Sequence, residues 1–399
     1  MHARPPLASA VALSITAALA CPMPAAGQPR LIELPPDFGG LGSRAHAISA
    51  DGSTQVGRSD DPGQNVVRWM GGGEPDLLGT TILGYAQDVS GDGSVIVGYD
   101  YGAFRYTDAE GLVILDELPI PGVSLQVANG VSADGSTIVG YAQTARLRRP
   151  FVWTASTGVR ALPLAGDADL VEAHAVSGDG AIIAGESGGQ AAIWDADRAI
   201  TVLGVPAGAA SSHARAVSDD GLVVAGFIRT GIDRGAFRWT AASGFEPLPL
   251  PAGAVGAEAV GISGDGRTIV GSVDAASGPD AAALWSPGLG VVDLNAYLLD
   301  AGLDLIGWRL TRATDASFDG TAIVGVGLLD GQQRGFLVTG LPATCRADLD
   351  DDGRLTLFDF LAFQTLFDAG DPAADFDDDG RLTFFDFLAF QTAFDAGCE

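Results

Sequence analysis

The chain has 399 residues, 47% of them hydrophobic and 56 of them Gly, which is enough apolar material for a large core cut by many turns. Its net charge is −28, and all 22 basic residues are Arg, with no Lys. That balance repels phosphate backbones and argues against a nucleic-acid partner, while it favours divalent cations.

Residues 1–6 carry Arg4, and residues 7–20 are an apolar run of Ala, Leu, Val and Ile too short to cross a bilayer as a stable helix. This predicts an export signal over residues 1–27 and a secreted, extracellular or cell-surface protein. Cleavage after Ala20 or after Gly27 both fit, and Cys21 offers a rival reading as a lipid-modified N-terminus. No other stretch approaches the roughly 20 apolar residues that spanning requires, so no transmembrane segment is expected.

A Ser-x-Asp-Gly unit then recurs at Ser49, Ser90, Ser132, Ser177, Ser218, Ser263 and Ser317, with successive spacings of 41, 42, 45, 41, 45 and 54. Such a period marks a propeller or a solenoid. Each unit carries four strand signals. The first is an Ala-rich run such as Ala173-His174-Ala175-Val176, followed by an Asp-Gly turn whose two central residues are expected at positive φ. Next comes an apolar run ending in Gly, such as Ile182-Ile183-Ala184-Gly185, then an aromatic run such as Ala236-Phe237-Arg238-Trp239, and last a run such as Val159-Arg160-Ala161-Leu162. Four antiparallel strands per repeat make a propeller blade. Small residues suit the crowded innermost strand, and Trp69, Trp153, Trp194, Trp239 and Trp285 share one slot that reads as packing between blades.

The seventh unit lacks a fourth strand, while Leu31-Ile32-Glu33-Leu34 stands alone before the first. Pairing of the two would close a seven-bladed ring without a long free edge. The propeller is therefore expected over residues 28–341. The longest spacing holds an insertion at residues 295–302 whose apolar pattern predicts a short surface helix.

The core A-x-A-[VI]-S-x-D-G-x-x-[IV]-V-G, the A-F-R-W strand, and the path from Asp293-Leu294-Asn295 through Gly307-Trp308 resemble the HAF family of bacterial extracellular repeats. The resemblance covers residues 40–340. It implies export and a β-propeller-like fold, with no settled activity.

Three residues before the motif Ser lie His46, Gln87, Asn129, His174, Arg215, Val260 and Thr314. Equivalent blade positions form a ring, and a polar ring at a channel mouth can take a ligand, a polysaccharide among the candidates. The simpler reading makes them solvated strand-end residues. With only His46, His174 and His213 beyond the signal and no HxxxH or HExxH pair, a zinc site has little support. The repeated Ser and Asp are explained by turn chemistry, and Arg146, Arg148 and Arg149 read as a solvated loop.

From Asp348 two nearly identical copies follow, DLDDDGRLTLFDFLAFQTLFDAG and DFDDDGRLTFFDFLAFQTAFDAG, differing at three positions. Each opens with a twelve-residue loop bearing Asp at positions 1, 3, 5 and 12 and Gly at 6, which converges oxygen ligands on one Ca2+. One site uses Asp348, Asp350, Asp352, the carbonyl of Arg354 and Asp359. The other uses Asp375, Asp377, Asp379, the carbonyl of Arg381 and Asp386. Two calcium sites are thus expected, each followed by a helix over residues 358–367 or 385–394 and preceded by none. Unliganded, each pair of carboxylates repels by about 1 kcal/mol at about 4 Å. Cys345 and Cys398 flank the duplication, and a bridge between them is worth about 4 kcal/mol in the chain-entropy model.

Residues 342–399 resemble a dockerin, and the ending Gly397-Cys398 resembles the GC-type dockerins. The resemblance implies anchoring to a cohesin-like or other cell-surface protein. Positions 10 and 11 are apolar here, Leu357 and Phe358 in one copy and Phe384 and Phe385 in the other. Together these readings predict a monomeric, secreted, noncatalytic binding and display propeller carried by a calcium-dependent module. The alternative is a polysaccharide-active hydrolase or lyase carried by the same module.

Overall fold

The computed structural model describes residues 28–37, 40–60, 63–79, 83–276, 278–287, 289–342, 347–349, 355–376 and 381–396. The chain divides into two compact units, Ala26–Thr344 and a unit containing Cys345–Glu399. The first holds seven four-stranded antiparallel sheets. Six are consecutive meanders, from Ser43–Ile48, Thr54–Ser59, Asn65–Met70 and Pro75–Leu77 in blade one to the blade opening with Ala254–Ile262. Blade seven takes its outer strand from the other end of the chain: Arg30–Leu34 pairs with Gln332–Thr339, Leu31 opposite Val338 and Glu33 opposite Phe336. The seven-bladed propeller therefore closes as the sequence predicts.

The Ser-x-Asp-Gly unit builds each inner hairpin through hydrogen bonds that repeat seven times. The Ser Oγ donates to the Asp Oδ1 over 2.5–2.8 Å. The same Asp oxygen accepts the N–H two residues on, as at Ser136 at 2.9 Å, and the Ser Oγ accepts the N–H five residues on, as at Thr137 at 3.0 Å. Only the Gly is left-handed, at φ 71–75° across the seven turns, and the Asp is not. This corrects the expectation of two positive-φ residues. Asp is required as an acceptor that folds the turn back on itself, not for its tolerance of φ.

At the hairpin end the blades are laced by backbone. Ala50 N–H donates to Gly91 O, Gly91 to Ala133, Ala133 to Gly178, Gly178 to Asp219 and Asp219 to Gly264, all at 2.9–3.0 Å. Asp265 N–H donates to Phe318 O and Phe318 N–H to Ala50 O, each at 2.9 Å, which closes the circle.

Halfway along each inner strand lies a β-bulge. The register skips one residue between Ala45 and Ala47, Ala86 and Asp88, Ala128 and Gly130, Ala173 and Ala175, Ala214 and Ala216, Ala259 and Gly261, and Ala313 and Asp315. Opposite the Ala before each bulge stands the Gly that ends the apolar run. A Cβ on Gly140 would fall inside the carbonyl oxygen of Val127, and the equivalent collision recurs in every blade. Close approach of two backbones is what demands Gly there.

Between blades lie separate apolar cores. Trp69, Trp194 and Trp285 are buried, and their indole N–H groups donate to Pro35, Pro163 and Pro249 carbonyls at 2.7–2.9 Å. A buried indole needs such an acceptor. The insertion forms the helix Leu294–Asp300, capped by Asp293, and Asn295 holds both the N–H and the carbonyl of Leu310.

The second unit has the helices Leu357–Ala369 and Phe384–Ala396. Thr356 caps the first in a reciprocal capping box with Asp359. Phe363 and Phe390 stack at 4.5 Å between the helices, with Phe376 edge-on to both. No helix among the described residues is long and apolar enough to cross a membrane.

Candidate functional site at the channel mouth

The seven residues skipped by the bulges are His46, Gln87, Asn129, His174, Arg215, Val260 and Thr314, and all line one axial cavity of about 180 Å³. They are mid-strand bulge residues, not solvated strand ends. A bulge leaves one residue outside the ladder and aims its side chain away from the sheet.

The ring is not chemically uniform. His46 Nδ1 lies 2.6 Å from the Ala86 carbonyl of the next blade, Asn129 donates to Ala173 O at 2.8 Å, and Thr314 donates to Ala45 O at 3.1 Å. These side chains reach carbonyls of the neighbouring blade's innermost strand. Asp88 and Asp315, the next residues along, accept the N–H groups of Val131 and Ile48 across the same seams at 2.8 and 3.0 Å. Burial pushes the Asp88 carboxyl up to about 7, against the pull of the Val131 and Val89 N–H groups. It pushes Asp315 well above the usual aspartate value, with the charge of Asp88 adding to it.

His174 and Arg215 differ from the rest because they meet each other. Arg215 Nη1 donates to the His174 ring, 3.0 Å from Nε2. Burial, then the charge of Arg215, drives the His174 imidazolium down to about 3, so the ring is neutral; burial does the same to His46, down to about 4. Arg215 also lies over the Phe227 ring at 5.4 Å and has no carboxylate partner among the described residues.

Two residues before the ring the inner strands present a second circle: Arg44, Tyr85, Val127, Glu172, His213, Glu258 and Arg312. Across the hairpin these pair with Arg58, Tyr99, Tyr141, Glu186, Phe227, Ser272 and Val326, each the residue after the obligatory Gly. Blade four supplies Glu172 and Glu186 directly opposite each other. Glu172, His174 and Glu186 place one donor atom each within 4.8 Å of one another, a set able to hold a divalent metal ion. Two carboxylate oxygens and a neutral imidazole suit Mn2+ or Zn2+. Arg148 pairs with Glu172, and His213 Nδ1 hydrogen-bonds Glu186 while its Nε2 contacts Ser211 at 2.9 Å. Burial raises the Glu186 carboxyl, but the His213 bond and neighbouring positive charges outweigh it and hold the group below its usual value.

Sequence reasoning missed Glu172, Glu186, His213 and Arg148. A spaced His pair on one segment does not reveal them: Glu172 and Glu186 face each other across a hairpin, while Arg148 and His213 reach them from the two neighbouring blades. The readable signal was the position after each Gly, which varies among Arg, Tyr, Glu, Phe, Ser and Val inside an otherwise fixed frame. The reading of Arg148 and Arg149 as a solvated loop is also corrected: both lie in the strand Arg148–Thr154, whose Arg148 faces Glu172.

In the second unit Asp359 and Asp386 are fully buried and Asp348 nearly so. Asp359 accepts the N–H groups of Leu349 and Thr356 at 2.8 and 2.7 Å, and Asp386 that of Thr383 at 2.6 Å. Asp375 and Arg381 are also described. Asp350, Asp352, Arg354, Asp377, Asp379, Cys345 and Cys398 lie outside the described residues, as do Cys21 and the segment 1–27.

No protein-family model matches the chain, and no curated protein is detectably similar to it. Among solved structures, it resembles an oligogalacturonate lyase from Vibrio parahaemolyticus, with a TM-score of 0.51 at 10% identity over 77% of this chain and 93% of that one. An oligogalacturonate lyase in complex with manganese gives 0.52 at 14% identity over 77% and 92%. TolB from Acinetobacter baumannii gives 0.42 at 11% over 76% and 65%. At these identities the likeness is one of fold. Both lyases are catalysts on this scaffold, which overturns the expectation that the propeller is a noncatalytic display module. That expectation rested on the Ser-x-Asp-Gly residues being structural; they are, but the mouth carries its own His, Glu and Arg groups.

Proposed function

We propose that the propeller is a polysaccharide-cleaving enzyme, a lyase acting on a uronate-containing glycan, with its reacting groups on blades four and five. The observation that carries this reading is Arg215, a cation with no carboxylate partner among the described residues, set against the neutral His174, which itself stands with Glu172 and Glu186. β-Elimination needs a positive charge set against the carboxylate flanking the reacting carbon and an unprotonated base to take that carbon's proton. Arg215 meets the first need. The proton is assigned to His213, since the one lone pair of the neutral His174 ring already accepts from Arg215. The fold shared with two oligogalacturonate lyases supports the same class of substrate.

Glu172, His174 and Glu186 would hold a divalent metal, which would supply further positive charge for the developing enolate. With His174 then a ligand, His213, oriented by Glu186 and Ser211, is the imidazole left to move a proton. Incubation with polygalacturonate, alginate and neutral glycans, with and without added Mn2+, tests the proposal through the ultraviolet absorbance of unsaturated product. Absence of unsaturated ends from every acidic glycan under both conditions would sink it.

The C-terminal unit is proposed to bind two Ca2+ ions and to act as the dockerin-like anchor of an exported protein. The support is the burial of Asp359 and Asp386, equivalent carboxylates of the two copies, each folded against its own loop by backbone N–H groups.

A further inference from the structure

The mouth carries a second set of groups that the reacting cluster does not use. Arg44 and Arg58 face each other across the first hairpin of blade one. Both lie against a single carboxylate, Asp60, at 3.7 and 3.1 Å, and they have no other ion pair among the described residues. In both it is the buried Nε that faces Asp60, without a hydrogen bond, and the terminal amino groups have no hydrogen-bond or ion-pair partner among the described residues. Two guanidiniums for one carboxylate leave an excess positive charge, and burial together with the charge of Arg44 disfavours the cationic form of Arg58. An arriving anion relieves that cost, and guanidinium donors match a carboxylate two at a time.

Next around the mouth come three tyrosines. Tyr85 lies edge-on to His46 at 6.2 Å and beside Tyr99 at 5.6 Å, and Tyr141 in blade three lies under the Arg148 guanidinium at 5.4 Å. None of the three hydroxyls hydrogen-bonds another described residue, and all three rings are half-buried. Arg148 reaches Glu172, so the aromatic arc ends at the reacting cluster. An aromatic arc with unengaged hydroxyls suits a sugar ring: its C–H face packs flat on a phenol ring and its hydroxyls meet the phenolic edge.

We propose that Arg44, Arg58, Tyr85, Tyr99 and Tyr141 form a uronic-acid subsite, separate from the reacting cluster, in which the guanidiniums take the sugar carboxylate and the tyrosines hold its ring. The proposal rests on the reading of the mouth as a glycan site and sets the glycan's path, from blade one across blades two and three to the bond broken at blade four. It therefore requires a glycan with at least two uronate residues, one on the arginine pair and one on Arg215.

The test uses galacturonate, its methyl ester and galactose, which have no glycosidic bond to cut, with the full-length protein and saturation-transfer NMR titration. Wild type binds galacturonate at least about tenfold tighter than the ester or galactose. Arg58→Gln and Arg44→Gln each weaken galacturonate binding about tenfold and reduce the preference over the ester to what Arg215 alone supplies, while Arg58→Lys, which keeps the charge, restores part of it. Tyr99→Ala weakens all three sugars alike. Thermal melts matching wild type show that the variants are folded. Galacturonate affinity unchanged in both Gln variants, or no preference for it in wild type, overturns the subsite even if polyuronate is cleaved. Arginine-dependent galacturonate binding without cleavage of any glycan upholds the subsite and sinks the lyase reading alone.

Discussion

His174 and Arg215, bulge residues of adjacent blades, meet with Nε2 3.0 Å from Nη1, while three other members of the same ring turn their side chains onto carbonyls of the next blade. The pairing joins an arginine that lacks a carboxylate to an imidazole held neutral. If the lyase reading holds, Arg215→Gln lowers cleavage about 100-fold or more with little change in the melting temperature, the loss expected for one preorganised charge-stabilising donor. Initial rates on polyuronate measure it, and a change below about threefold would remove Arg215 from the site.

Glu186→Gln removes one donor of the candidate metal set and the partner of His213 Nδ1. Retained Mn2+ after gel filtration, read by elemental analysis, is expected to fall at least about tenfold. Equal retention by variant and wild type would exclude these residues as the ligands.

The Gly opposite each bulge has no room for a methyl group. Gly140→Ala pushes a Cβ into the Val127 carbonyl and is expected to destabilise the propeller by about 3 kcal/mol or more. Gly158→Ala, at an open turn with φ 61°, tests backbone strain alone and is expected to cost about 1 kcal/mol. Chemical denaturation distinguishes the two, and equal costs would show that the close approach is not what selects Gly.

Asp88 and His46 give stability opposite dependences on pH. The Asp88 carboxyl is raised from 3.8 to about 7, so its contribution is full below 3.8 and declines as pH rises through 7. His46 is lowered from 6.5 to about 4, so its contribution is full above 6.5 and declines as pH falls through 4. Between 6.5 and about 7.5 the acid effect stands without the histidine effect. The melting temperature is expected to drop with rising pH there, and Asp88→Asn to flatten that drop. An unchanged slope in the variant would refute the assignment.

Calcium removal addresses the second unit. Chelation of the full chain is expected to reduce its helical circular dichroism, with recovery on adding Ca2+ but not at equal Mg2+, whose smaller octahedral shell fits a twelve-residue acidic loop poorly. A spectrum indifferent to chelator would count against calcium in the loops.

The count of blades, the strand swap that closes the ring, the hairpin chemistry and the ring of residues before each Ser are all written in the repeat. They depend on local hydrogen bonds and sterics at constant spacing, which a single chain displays seven times over. The bulges were not legible, because a skipped residue follows from crowding of two backbones at Ala and Gly and leaves no composition of its own. Nor was the site: Glu172 and Glu186 meet by cross-strand register, and His174 meets Arg215 only because the ring sets neighbouring blades at one axis. Sequence by itself thus determined the frame, where every copy must satisfy the same backbone. Only the tertiary structure decided which of the varying residues converge, since charge and burial at the mouth depend on groups from neighbouring blades, such as Arg148 with Glu172, 24 positions apart, and His174 with Arg215, 41 apart.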